Sequence, residues 1–345
     1  MQNKNFKRKK TQLPSVEELC KEILEGNLTA LSRGITLCES SIASDRILAV
    51  KLVNACLPHS GNSIRIGITG VPGVGKSTFI ERFGIYLIEQ QAKKVAVLAV
   101  DPSSNRSKGS ILGDKTRMEE LSVHPKAFIR PSPTSGSLGG VAHQSRESII
   151  LCEAAGFDTI IVETVGVGQS EIEVKEMTDF FLLLMLAGAG DELQGIKRGI
   201  MEMADGILIN KADGDNINAA KSAKREYQNA LHLFPPAESA WIPKVNICSA
   251  LEKLNIDLAW EMANSYFLHT KANNFFDEQR QQQLQSWFLK SIDELLNRSL
   301  FSSSSLIPII EQLKLEVESK QKSPKQAAQE VFEKYIQEIG SSSKK

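Results

Sequence analysis

No apolar run in these 345 residues is long enough to cross a bilayer, and no two cysteines stand in a CxxC pair. Nor does either sign of charge dominate: lysine plus arginine and aspartate plus glutamate stand at 41 each, so no global field draws in nucleic acid or anionic lipid. The longest apolar stretch, Phe180–Ala189, has about half the length a membrane-spanning helix needs and reads as a buried parallel strand. No apolar segment follows the basic cluster Lys4–Lys10, so no secretory leader is expected there. The five cysteines, Cys20, Cys38, Cys56, Cys152 and Cys248, are scattered and odd in number, which excludes a simple disulfide framework and fits a reducing cytoplasm. The five histidines show no metal-ligand spacing, and there is no internal repeat. What is present is a hydrophobic content of 41%, enough for a sizeable core in one large α/β domain with extensions, or in two domains.

The texture changes twice along the chain. To about Pro58 it is helical. Ser15-Val16-Glu17-Glu18 is a capping box ahead of an apolar stripe that Gly26-Asn27 ends. Further helices are expected over Ala30–Glu39 and from Ser44-Asp45 to Pro58. From Gly61, continuous apolar runs alternate with helical segments. Ile64–Thr69, Val95–Val100, Thr159–Val162, Phe180–Leu186, Gly206–Ile209 and Lys244–Ile247 predict strands, with Phe128–Arg130 a weaker one. Runs of Val, Ile and Leu without alternation belong to strands covered on both faces, hence a doubly wound, mainly parallel α/β sheet. After about Lys271 the chain is helical again, with Leu284, Trp287, Phe288, Ile292, Leu295 and Leu296 on one apolar face and Ser323-Pro324 opening a last helix. The expected division is a helical segment over 1–60, a nucleotide-binding domain over 61–270 and a helical arm over 271–345.

The richest motif is Gly70-Val71-Pro72-Gly73-Val74-Gly75-Lys76-Ser77, which fits GxxxxGK[ST] at every fixed position. It lies between a predicted strand and a helix that begins at Thr78. That arrangement defines a P-loop, whose backbone N–H groups wrap a phosphate chain. Lys76 is then placed to reach the β- and γ-phosphates and the Ser77 hydroxyl to bind Mg²⁺. In an open parallel sheet the ligand lies at the carboxyl ends of the strands, so the polar residues there are the ones to weigh.

Asn210-Lys211-Ala212-Asp213 closes one strand and reads as NKxD. A carboxylate at Asp213 can accept from the guanine N1–H and exocyclic amine together, a pair adenine does not present, while Lys211 lays its stem over the base. Ser249-Ala250-Leu251 follows another strand and matches a loop whose N–H meets the guanine O6. Glu163-Thr164-Val165-Gly166 takes the place of the DxxG motif, with Glu163 for the metal and the Gly166 N–H for the γ-phosphate. Gly166 through Glu171 reads as a switch, and Gln169 is a candidate for orienting water. Asp101, directly after a strand, either orients water or a metal-bound water or simply forms the turn before Pro102. Asp114 either completes the metal shell or caps a helix.

With those residues in place the chain resembles the MeaB/ArgK GTPases, bacterial relatives of the human methylmalonic aciduria type A protein. The stretches that carry the resemblance are GITGVPGVGKST, AVDPSS, GSILGDKTRM, RPSPTSGSLGGVA, CEAAGFDTIIVETVGVGQSE, GDELQGIKRGIMEMAD and NKADGDN, spread over roughly residues 61 to 255. The resemblance implies a Mg²⁺-dependent GTPase, binding GTP and GDP, that chaperones an adenosylcobalamin-dependent acyl-CoA mutase, with methylmalonyl-CoA mutase the default. It implies metal and switch roles for Asp101, Asp114 and Glu163. It marks Gly190–Arg198 as a further switch in which Lys197 supports hydrolysis when the mutase is bound. It also implies a C-terminal dimerisation arm, hence a homodimer; the charge balance and the cysteines, for their part, point to a cytoplasmic protein with neither nucleic acid nor membrane as partner. One departure is Lys108, in Ser107-Lys108-Gly109-Ser110, where the family usually carries a glycine; it would stiffen that loop. Three other readings remain in view: a nickel-type metal-delivery GTPase, which calls for a Cys/His site; a kinase, the sense of the older arginine/ornithine transport label, which calls for an acceptor and for ATP; and a dimer that binds nucleotide without turnover.

Overall fold

A computed structural model describes residues 14–100, 118–131, 138–164, 170–188 and 198–342. The chain divides into two compact units, 1–283 and 284–345.

The first unit opens with three helices, α1 (Val16–Leu24), α2 (Leu28–Glu39) and α3 (Ala43–Cys56). The capping box forms as its sequence demands: Ser15 Oγ accepts from the Glu18 N–H at 3.2 Å, and Glu18 returns a carboxylate oxygen to the Ser15 N–H at 3.0 Å. Asn27 caps α2, accepting from the N–H groups of Thr29 and Ala30. These helices pack on α6 (Leu138–Ala154), and Gly34 is where they close up: a Cβ there would stand 3.1 Å from Ile23 and Leu52 and 3.3 Å from Leu151.

Seven strands follow: β1 (Ile64–Gly70), β2 (Val95–Val100), β3 (Ala127–Arg130), β4 (Thr159–Thr164), β5 (Phe180–Leu186), β6 (Gly206–Asn210) and β7 (Lys244–Ile247). They form one sheet in the order β3-β2-β4-β1-β5-β6-β7, and every pairing is parallel. Helices α4 (Lys76–Gln90), α5 (Glu119–Ser122), α6, α7 (Ser170–Lys175), α8 (Arg198–Met203), α9 (Ile217–Leu231) and α10 (Asp257–Ala272) flank it. The strands are buried almost throughout, which is why they read as unbroken apolar runs. The chain runs from β1 to β2 on one side and from β5 to β6 on the other, so the crevice at the carboxyl ends of β1 and β5 is a topological switch point. Gly67, midway along β1, lets α7 and β5 close in: a Cβ there would meet Phe181 at 2.7 Å, Thr178 at 2.8 Å and Val174 at 2.9 Å.

Helix α11 (Phe275–Phe301) starts at the opposite, amino-terminal rim of the sheet. Arg280 donates there to both oxygens of the buried Asp179 at 2.8 Å, to the Ser63 carbonyl at 2.6 Å and to the Gly61 carbonyl at 2.5 Å, with its guanidinium 4.5 Å over the Phe276 ring. Asp179 also accepts from the Arg65 N–H at 2.8 Å, and Arg65 in turn forks onto Glu153.

In the second unit α12 (Leu306–Glu318) and α13 (Pro324–Ser342) pack together, burying Leu306, Leu313, Ala327 and Tyr335. Ser323 begins α13 by accepting from the Gln326 N–H at 3.2 Å. Tyr335 donates to Ser299 Oγ at 2.8 Å.

Candidate nucleotide site

The loop from Gly70 to Gly75 turns the chain from β1 into α4 with two left-handed glycines, Gly73 (φ 76°) and Gly75 (φ 88°). At Gly75 the requirement is double, because a Cβ would also stand 3.1 Å from the Asn210 amide nitrogen. Helix α4 begins at Lys76, two residues before its expected start, so the N–H groups of its first turn, from Lys76 through Thr78, point into the loop. Val71 and Val74 are buried and pin the loop to the core, while Pro72 is exposed and Ser77 half-buried.

Lys76 Nζ donates to the Gly70 carbonyl at 2.8 Å, spanning the loop that a phosphate would fill. Burial pushes the ammonium below the usual lysine range, and the carboxylates of Glu163 and Glu171 act against that push. Glu163 is 5% exposed and sits beside Ile68 on β1 and Ala99 on β2. Its neighbour Thr164 donates to Thr69 Oγ1 at 2.8 Å, locking β4 to β1 immediately below the loop. Oxygen donors of this kind, a buried carboxylate and the Ser77 hydroxyl, suit a hard cation such as Mg²⁺.

Across the crevice the base-side residues are tied together by Asn210. Its amide donates to the Val74 carbonyl at 2.8 Å, and its oxygen accepts from the Ala250 N–H at 3.0 Å and from the Cys248 thiol at 3.6 Å. Burial pushes that thiol up to about 12, which keeps its proton in place for the contact. Asn210 thus joins the phosphate loop, its own strand and the Ser249-Ala250-Leu251 loop. Lys211 takes a left-handed conformation (φ 58°), and its carbonyl accepts from Asn216 at 2.6 Å. The turn sets Asp213 against Ser249, whose hydroxyl donates to the Asp213 carboxylate while accepting from the Glu252 N–H at 3.1 Å. Leu251 projects into solvent.

The structure therefore brings the residues from Gly70 to Ser77 together with Glu163, Asn210, Lys211, Asp213, Ser249 and Ala250 at one end of the sheet. Asp101, Asp114, Gly166 and Lys197, with Lys108, Gln169 and most of the 190–198 segment, lie outside the described residues. Ser170 and Glu171, expected in a switch, open helix α7 and are buried. The action of Glu171 on Lys76 and the Thr69–Thr164 contact are new; neither has a local signature, because each joins residues about a hundred positions apart. Among the described residues no three His, Cys, Asp or Glu side chains converge as a metal cluster, and no helix is long and apolar enough to cross a membrane.

A parallel sheet with a P-loop on its central strand and a paired aspartate on the base side defines a P-loop GTPase. Comparison with known proteins narrows the class. The chain belongs to the methylmalonyl-CoA mutase-associated GTPases, MeaB, whose family model matches residues 31–305. It is 44% identical over 319 residues to the GTPase ArgK of Escherichia coli, covering 92% of this chain and 96% of that one. It is 45% identical over 289 residues to the mitochondrial methylmalonic aciduria type A homolog of Mus musculus, covering 81% of this chain and 69% of that one. A crystal structure described as a LAO/AO transport system kinase superposes with a TM-score of 0.74 at 39% identity, covering 94% of this chain and 98% of that one.

Proposed function

We propose that this GTPase is the chaperone of an adenosylcobalamin-dependent acyl-CoA mutase, methylmalonyl-CoA mutase in the first instance. Its nucleotide state gates cofactor loading and protects the mutase from inactivation. The observation that carries the GTP reading is the placement of Asp213 on the base side, held by the Ser249 hydroxyl, in a loop that Asn210 ties to the phosphate loop. The partner is supported by the mutase-associated family to which the chain belongs.

In this reading Lys76 leaves the Gly70 carbonyl for the β- and γ-phosphates, a low-cost exchange because the ammonium is already desolvated and flanked by carboxylates. Ser77 and Glu163, with Asp101 and Asp114, would hold Mg²⁺, which when bound would supply positive charge against the phosphate oxygens. Lys211 covers the base, Asp213 reads its N1–H and amine, and the loop at Ser249, Ala250 and Leu251 receives O6. Asp101 and Glu163 order the attacking water and its shell, the Gly166 N–H senses the γ-phosphate, and Lys197 completes the site when the mutase docks. The helical arm at the C-terminus joins two copies. The protein acts in the cytoplasm, where its five buried cysteines stay reduced.

The test is GTP hydrolysis by the purified protein with and without the mutase of the same organism. Stimulation by the mutase is expected. A rate that the mutase leaves unaltered would overturn this partner and direct the search to other adenosylcobalamin isomerases.

A further inference from the structure

At the far edge of the sheet from β3, a groove of about 650 Å³ runs between β7 and α9. Lys224, Gln228 and His232 line it from the helix, at the spacing of one helical face; Lys244, Val245 and Asn246 line it from the strand. No aspartate or glutamate lies in that lining. In a chain with no net charge, two lysines without an acid form a local cationic surface.

The strand wall is an open edge, and its register shows which groups it offers. The Cys248 N–H donates to the Ile209 carbonyl and the Cys248 carbonyl accepts from the Ala212 N–H, both at 2.9 Å. With a period of two, Asn246 and Lys244 also turn their backbone groups to β6, and Val245 and Ile247 turn theirs outward. The Ile247 carbonyl is taken by the Asn255 amide at 3.2 Å. The Val245 N–H and C=O face the groove, and no described strand lies beyond β7. The side chains are equally directed. Asn246 accepts from Lys224 Nζ at 2.9 Å, so it points toward α9; Lys244 shares that face by the strand's period of two, with its ammonium 5.3 Å from the centre of the Trp241 ring. Both lysines therefore meet one row of side chains on any strand laid in the groove. Ile242, 74% exposed, adds apolar surface at one end.

We propose that this groove binds an extended, acidic segment of a partner protein, which adds to β7 as a further strand and sets its carboxylates against Lys224 and Lys244. A groove between an edge strand and a helix is the geometry of peptide recognition by strand addition, in which the backbone supplies affinity and alternate side chains supply selectivity. This site lies outside the nucleotide residues and does not depend on the mutase assignment.

The probe is an acetylated, fluorescein-labelled peptide of three alternating glutamate–valine pairs, titrated into the full-length protein by anisotropy at low salt. A lysine–valine peptide of the same length is the control. The acidic peptide is expected to bind and the basic one not. K224E together with K244E should weaken binding by at least about tenfold. V245P, which removes one outward N–H without touching charge, should weaken it by about fivefold. Basal GTP hydrolysis should stay unchanged in both variants, which shows that they fold. Absence of binding, equal binding of both peptides, or insensitivity to the lysine variant would overturn the proposal. Binding that V245P leaves untouched and inorganic phosphate displaces would replace it with a small-anion site. Self-association of the wild type that K224E with K244E abolishes would replace it with a second copy of the chain.

Discussion

At Asn210 both ends of one carboxamide are used: the nitrogen donates one of its two N–H groups to the Val74 carbonyl, and the oxygen accepts from the Ala250 N–H. The carboxylate of Asp213, three positions on, accepts from the Ser249 hydroxyl, its one hydrogen-bond partner among the described residues. Asn210 acts as a strut between the two loops, and Asp213 is the proposed reader of the base. Substitution should separate them. D213N keeps a hydrogen bond with Ser249 but replaces an acceptor by a donor, so GTP affinity should fall by more than about tenfold, or about 1.4 kcal/mol, with the melting temperature unchanged. N210A leaves the Val74 carbonyl and the Ala250 N–H buried without partners, so it should cost about 1–3 kcal/mol of stability and weaken GTP and ATP alike. Titration with fluorescent nucleotides, paired with thermal melts, checks both. Unchanged GTP affinity in D213N would remove Asp213 from base recognition. The motif was legible because it is contiguous; the strut was not, because its partner Val74 lies far back along the chain.

Elements were legible where their causes are local. The capping box at Ser15 and Glu18, the seven apolar runs and the Ser323-Pro324 start all appear where the sequence places them, because each depends on side chains within a few residues of one another. Strand ends extend a residue or two further than expected, at Gly70, Thr164 and Asn210, since ladder partners rather than propensity set them. The anchoring of α11 was not legible. It depends on Arg280 meeting Asp179, Ser63 and Gly61, residues from two distant parts of the chain. Asp179 is 1% exposed, and without Arg280 its carboxylate would keep the Arg65 N–H but lose its charge partner. R280A should therefore destabilise the protein by about 3–5 kcal/mol, and R280K, which keeps the charge but not the fork, by less. Urea unfolding read at the sheet, with hydrogen exchange at the start of α11, measures this. Wild-type stability in R280A would show that the contact holds nothing.

On the scale of the whole molecule, the two units present different surfaces. In the first, the described strands and helices bury a continuous core beneath the nucleotide site. In the second, α11 carries Leu284, Phe288, Leu289, Leu295, Leu296 and Phe301 at more than half exposure. A set of large apolar side chains exposed on one helix is costly to leave in water and marks an interaction surface. The homodimer proposed above places that set at its interface, and the proposal can be tested without disturbing the nucleotide site. F288E combined with L295E puts two carboxylates into the set while leaving the residues of the P-loop, NKAD and Ser249 loops untouched. Sedimentation of the wild type should give twice the 38.0 kDa of one chain, and the double variant should sediment as a single chain. Its basal GTP hydrolysis should match the wild type, because every proposed nucleotide contact lies in the first unit. A wild type that sediments as a monomer, or a variant that stays dimeric, would exclude the arm as the dimer interface. Hydrolysis lost together with dimerisation would mean that the site is incomplete in one chain, and would place part of the catalytic apparatus across the interface.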